Sequence, residues 1–231
     1  MEKDTFRAAE WTYKELFLLL FLILVIVPIG IEYLLQGYLY DVFQNKLYAG
    51  TLTGFIMAIV FMLGLYLVAL KPHHIGWDAV GIRRFSRKYW KLIIVSTIVL
   101  IAASILIVIL MELVHIGAEN SKTEALQQDI TWFTFSIGFI SAAIISPIYE
   151  EIFYRGFLYK WFRVKWGVGA GMLCSSFIFT IVHLPTYNTL PVNFASGIIF
   201  AWTYEKSGSV LPAMIVHGVF NGLAIILTAL G

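Results

Sequence analysis

The sequence predicts an all-α, polytopic bundle of about seven transmembrane helices (six to eight) enclosing an intramembrane cavity, and three observations carry that prediction. Of 231 residues, 60% are apolar or aromatic and 13% are charged, whereas a soluble domain lies near one half and one quarter. The apolar residues fall into long blocks, and a spanning helix needs about 20 of them in succession. The ionisable residues that interrupt such blocks concentrate in the last third of the chain. This composition excludes a disordered chain and a secreted disulfide scaffold. A single cysteine, Cys174, allows no internal bridge and no cysteine zinc cluster. A net charge of +2 gives no reason to expect a nucleic-acid partner.

The first block, Leu16–Leu35, follows the mixed acidic and basic stretch Met1–Glu15 and has no small-residue cleavage site, so it reads as a span and not a removable signal. Thr51–Leu70 and Leu92–Met111 have no charge in their interiors. Glu32 and Glu112 lie near span ends, within reach of the interface, and read as structural. Thr131–Tyr149 runs directly into the charged string EEIFYR. Gly167–Leu184 opens on GVGAG, where small residues allow close helix packing. Leu190–Tyr204 is the shortest block, and Ser209–Leu230 ends the series. Residues 1–130 form an N-terminal membrane region of three spans with a basic loop at 71–91, and residues 131–231 a second helical core, the part that holds the intramembrane ionisable residues. The two together are expected to make one structural domain.

Basic residues set orientation. The loop Lys71–Lys91 holds Lys71, Arg83, Arg84, Arg87, Lys88 and Lys91 against Asp78. The loop His115–Ile130 has Lys122 against Glu119, Glu124 and Asp129, and the next is basic again at Lys160, Arg163 and Lys165. Alternation places the N-terminus and both basic loops in the cytoplasm. The basic run at 71–91 is accounted for by a solvated loop facing lipid headgroups.

Ionisable groups inside a membrane are costly and usually functional. Here they are Glu150, Glu151 and Arg155 after the fourth block, His183 near the end of the fifth, and His217 with Asn221 inside the last. Glu151 and Arg155 are four apart and can pair on one helix face. Phe179 with His183, and His217 with Asn221, share faces by the same spacing. If the fourth span continues past Arg155 and turns near Lys165–Trp166, Glu150 and His183 each lie roughly 25 Å from the turn and are level. His217 comes out shallower when counted from the Glu205–Gly208 turn.

A carboxylate with imidazoles suits activation of water, and a second imidazole with an amide can stabilise an oxyanion. Together they suffice for amide hydrolysis. The GVGAG string has no P-loop lysine and serine and follows no strand, so it is not a phosphate cradle.

The strings EEIFYR (Glu150–Arg155), FTIVH (Phe179–His183) and HGVFN (His217–Asn221) fit EExxxR, FxxxH and HxxxN. In this order on successive hydrophobic helices they resemble the CPBP (Abi) family, the CAAX proteases and bacteriocin-processing enzymes, whose best-known branch is the type II CAAX prenyl endopeptidase. The resemblance covers residues 131–230. It implies a helical bundle with an intramembrane endopeptidase site in which Glu150 and His183 activate water and His217 with Asn221 holds the oxyanion. Glu151 would be held by Arg155, and Phe179 would line the cavity. Family members are often labelled metalloproteases. Glu150, Glu151, His183 and His217 are acceptable zinc ligands, but a metal-free mechanism is equally natural from the residues, and it is the one adopted. The implied partners are the bilayer and a peptide or membrane-associated protein, prenylated in one branch. The short loops suggest a prokaryotic plasma membrane. Two other classes compete: a non-enzymatic immunity or scaffold protein, and a small transporter, for which inverted repeats are not visible.

Overall fold

The computed structural model describes residues 11–117 and 131–230. Among them the chain is helical and has no strand. The helices are α1 (Tyr13–Phe43), α2 (Lys46–His73), α3 (Arg87–Leu113), α4 (132–166), α5 (168–181), α6 (Leu190–Ser207) and α7 (Val210–Leu230). Residues 1–10 of the Met1–Glu15 stretch and 118–130 of the His115–Ile130 loop lie outside the described residues.

Each of the seven apolar blocks falls on one of these helices. Among the described residues, however, only five stretches are long and apolar enough to cross a membrane: α1, α2, α3, the run Trp132–Ile181 shared by α4 and α5, and α7. Helix α6 is not among them because Asn193, Glu205 and Lys206 dilute its apolar run. The chain is an integral membrane protein, and its packing is that of one. Phe17, Ile98 and Phe133 face outward. Ser96, Ser104 and Thr203 are buried between helices, with Thr203 Oγ1 donating to Ser96 Oγ at 3.1 Å to join α6 to α3.

The start of α1 is fixed by Thr12 and Glu15 in a capping box. Trp11 Nε1 donates to the Ala69 carbonyl at 2.8 Å and Trp161 Nε1 to that of Thr12 at 3.0 Å, so the entry of α1 is tied to α2 and α4. Pro28 lies within a long run of i→i+5 turns in α1, where the proline supplies no N–H.

Between α4 and α5 the chain reverses at Gly167, whose φ of 88° suits glycine alone. The reversal falls one residue past the expected Lys165–Trp166 turn. Gly171 then packs on the backbone of Arg163, where a Cβ would stand 3.1 Å from its Cα. The GVGAG string thus serves one turn and one close approach.

The basic loop 71–91 departs from expectation. Lys71, Arg84, Arg87, Lys88 and Lys91 are exposed as predicted, but Val80 and Gly81 between them are buried. The apolar centre of the loop enters the bundle and packs beneath α4 and α7, because Val80 has a large apolar core to join while the charges on either side remain solvated.

Candidate active site

Helix α4 presents the acids. It has i→i+5 turns at Ser141–Ile145 and Glu151–Tyr159, on either side of Glu150, and such turns recur at functional sites. All residues from Glu151 to Tyr159 are buried. Glu151 and Arg155 pair as their spacing predicts, Nη1 to Oε1 at 3.1 Å, with both side chains wholly withdrawn from solvent. Arg155 also donates through Nη2 to the Gly197 carbonyl of α6 at 3.2 Å. Its guanidinium lies 4.5 Å from the Phe179 ring centre and 5.0 Å from that of Phe200. The buried charge pair is therefore embedded in aromatic faces and one backbone carbonyl.

His217 completes the chain of contacts from α7. Its Nδ1 lies 2.8 Å from Glu151 Oε1. A carboxylate accepts, so Nδ1 carries a proton, and with a single proton on the ring Nε2 keeps its lone pair. That Nε2 faces Glu150 Oε2 across 3.9 Å. The other oxygen of Glu150, Oε1, accepts from Ser146 Oγ. Two acceptors thus confront each other over a gap too long for a direct hydrogen bond. A molecule with two O–H bonds, such as water, would satisfy both.

Tyr154 and Phe179 meet with ring centres 5.1 Å apart, which makes them level on antiparallel α4 and α5. Glu150 and His183, each four residues further on, share a depth as expected. His217 is level with them too, and not shallower. The reason is that Val210 starts α7 on the Gly81 carbonyl, while Val80 lies against Gly156. Helix α7 therefore begins roughly 15 Å deeper than the Gly167 turn.

Phe179 is a packing hub, with ring centres 4.8 Å from His183 and 6.1 Å from His217. His183 joins the group through this ring, and its Nδ1 donates to the Phe179 carbonyl at 2.7 Å. Asn221 donates from its amide to the Ala142 carbonyl at 3.0 Å, tying α7 to α4. An apolar groove of about 510 Å3 opens along this α4–α7 seam. Its walls include Pro147 and Gly218, chain neighbours of Ser146 and His217.

The four residues acceptable as zinc ligands do not fit such a site as they are placed. Among the described residues no three His, Cys, Asp or Glu side chains are gathered for a metal ion.

Sequence reasoning missed three members of the site. Ser146 orients Glu150, and its i,i+4 spacing to Glu150 is the signal that could have found it. Phe200 stacks on the His217 ring at 4.5 Å and 19°. Gly197 supplies the carbonyl for Arg155 and admits Ser176 of α5 so closely that a Cβ would stand 2.8 Å from Ser176 Cβ. Both lie on α6, the block without charge in its middle, and no pattern in that block marks them.

Residues 131–223 match the family model described as type II CAAX prenyl endopeptidase Rce1-like. The chain is similar to the UPF0177 protein YbdI of Lactococcus lactis subsp. lactis (strain IL1403), 29% identical over 96 residues, 42% of this chain and 49% of that protein. It is similar to the Bacillus subtilis (strain 168) protein named "Putative membrane peptidase YdiL", 30% identical over 112 residues, 48% of this chain and 45% of that one. These two matches span about half the length of each relative. The UPF0177 protein in the abiGi 5'region of Lactococcus lactis subsp. cremoris is 26% identical over 217 residues, 91% of this chain and 88% of that protein. No solved structure matches the chain. The segment 131–223, which holds Glu150, Glu151, Arg155, Phe179, His183, His217 and Asn221, is thus the part of the chain that is similar to the Rce1-like type II CAAX prenyl endopeptidases.

Proposed function

We propose that this protein is an intramembrane endopeptidase that hydrolyses a peptide bond near the membrane with a water molecule held between Glu150 and His217. The observation that carries the reading is the pair of acceptors facing across 3.9 Å, one fixed by Ser146 and the other by Glu151. Water donates one O–H to Glu150 Oε2 and one to His217 Nε2, which leaves an oxygen lone pair for the scissile carbonyl carbon. As the C–O bond forms, Glu150 takes the proton. The proton passes to the amide nitrogen as the C–N bond breaks, giving a carboxylic acid and an amine. Half-buried His183, its Nδ1 donating to the Phe179 carbonyl, suits the transfer to the leaving amine. Arg155 holds Glu151 in place beside His217 and is itself withdrawn from solvent.

The resemblance gives His217 and Asn221 the oxyanion. In this arrangement His217 Nε2 is an acceptor and the Asn221 amide is committed to Ala142, so both would have to change partner for that task. The reaction is proposed to be metal-free. The membrane-peptidase name of the Bacillus relative and the Rce1-like match support a peptidase.

Cleavage in liposomes tests this, with wild type and Glu150→Ala, a prenylated CAAX-ended peptide and an unmodified one, read by mass spectrometry. The expected result is cleavage by wild type alone, unchanged by a chelator. Activity lost to the chelator and restored by zinc would overturn the metal-free step. Equal cutting by both proteins would remove Glu150 from the site, and no cutting by either would favour a binding protein of the same family.

A further inference from the structure

We propose that the loop 77–83, outside the segment that matches the family model, is the brace that sets the spacing between the two halves of the active site. The inference rests on the peptidase reading for its catalytic consequence, but its structural basis is independent. Near-consecutive carbonyls of the loop are divided between the two helices that carry the site. Ala79 O accepts from buried Lys160 Nζ of α4 at 2.8 Å, and Val80 O lies against Gly156 of α4. Gly81 O accepts the backbone N–H of Val210, the first residue of α7, at 3.0 Å, and Arg83 O accepts from buried Ser209 Oγ at 2.6 Å. Gly81 makes the switch between helices possible with a φ of 82°.

The contacts are close enough to define a distance. A Cβ on Gly156 would stand 2.4 Å from the Val80 carbonyl oxygen, so α4 approaches the loop as only glycine permits. Gly156 lies six residues from Glu150, and Val210 seven from His217. Both catalytic groups therefore sit roughly 9–10 Å along their helices from the brace. A shift at the brace is carried by two short, rigid segments straight to the 3.9 Å gap. Displacement of about 1 Å at reacting groups can cost two orders of magnitude in rate.

The experiment combines kinetics with a distance that does not depend on activity. Gly156→Ala pushes the loop away from α4. Ser209→Ala removes the donor to Arg83 O, and Ser209→Thr keeps it. Spin labels at the exposed positions Ile148 and Val219 report the α4–α7 spacing by double electron–electron resonance in a Cys174→Ser background. The expected result is a shifted or widened distance in Gly156→Ala and Ser209→Ala and the wild-type distance in Ser209→Thr. kcat falls by about tenfold or more in the first two, with KM nearly unchanged. An unchanged distance overturns the brace whatever the activity, and a changed distance at unchanged kcat overturns its catalytic role. Glu150→Ala is run beside them: if it cuts as well as wild type, the peptidase site is refuted while the distances still decide whether the loop sets the spacing.

Discussion

Arg155→Met removes the positive charge from the centre of the bundle while keeping most of the side-chain volume. Both members of the Glu151–Arg155 pair are fully buried, and the carboxylate's other close partner is the imidazole of His217. An exposed i,i+4 pair would contribute less than about 1 kcal/mol. Removing one member of a buried pair leaves an uncompensated charge in a low-dielectric interior, which costs about 3–5 kcal/mol. The Gly197 carbonyl loses its donor as well. The expected loss of unfolding free energy is therefore about 3–5 kcal/mol. Adding Glu151→Gln removes the orphaned charge but keeps an oxygen for His217 Nδ1, so the double variant should recover about 1–3 kcal/mol of it. The assay is reversible unfolding of detergent-solubilised protein by sodium dodecyl sulfate, followed by tryptophan fluorescence. An Arg155→Met loss below about 1 kcal/mol would refute the argument. So would a double variant no more stable than the single one.

Ser146→Ala frees Oε1 of Glu150, and the expected result is a kcat at least several-fold lower at nearly constant KM, with Ser146→Thr close to wild type in the same peptide assay. Gly197→Ala drives a methyl into Ser176 and should destabilise the protein by about 1–3 kcal/mol in the detergent unfolding assay, with partial recovery on adding Ser176→Gly. Phe200→Leu removes the ring stacked on His217 and should lower kcat while the protein still elutes as a folded particle on size-exclusion chromatography.

Much of this arrangement is legible in the residues because helical spacing is a local property. The Glu151–Arg155 pair follows from an interval of four, and the level placement of Glu150 and His183 follows from rise per residue and one turn. The depth of His217 is not legible in that way. It depends on where α7 begins, and that is fixed by a loop more than a hundred residues upstream in the chain. The reading of 71–91 as a solvated loop failed for a related reason: its charges dominate the composition, while the part that docks is a short apolar centre around Val80. Phe200 and Gly197 escape notice because stacking and carbonyl donation leave no spacing pattern of their own. The span count rests on apolarity alone, and α6 has the length of a span without its composition.

The helix between Gly167 and Ile181 rises roughly 21 Å, well short of the roughly 30 Å hydrocarbon core of a bilayer. Irregular backbone follows it at once, around His183, and such backbone is not tolerated facing lipid tails. Hydrophobic mismatch is relieved by a locally thinned bilayer or by polar groups drawn inward. On this flank, such thinning would bring aqueous solvent and headgroups toward the level of Glu150. On the proposed peptidase reading, this short helix would act as a hydration funnel, delivering one of the two reactants of the hydrolysis to a site lined by aromatic rings.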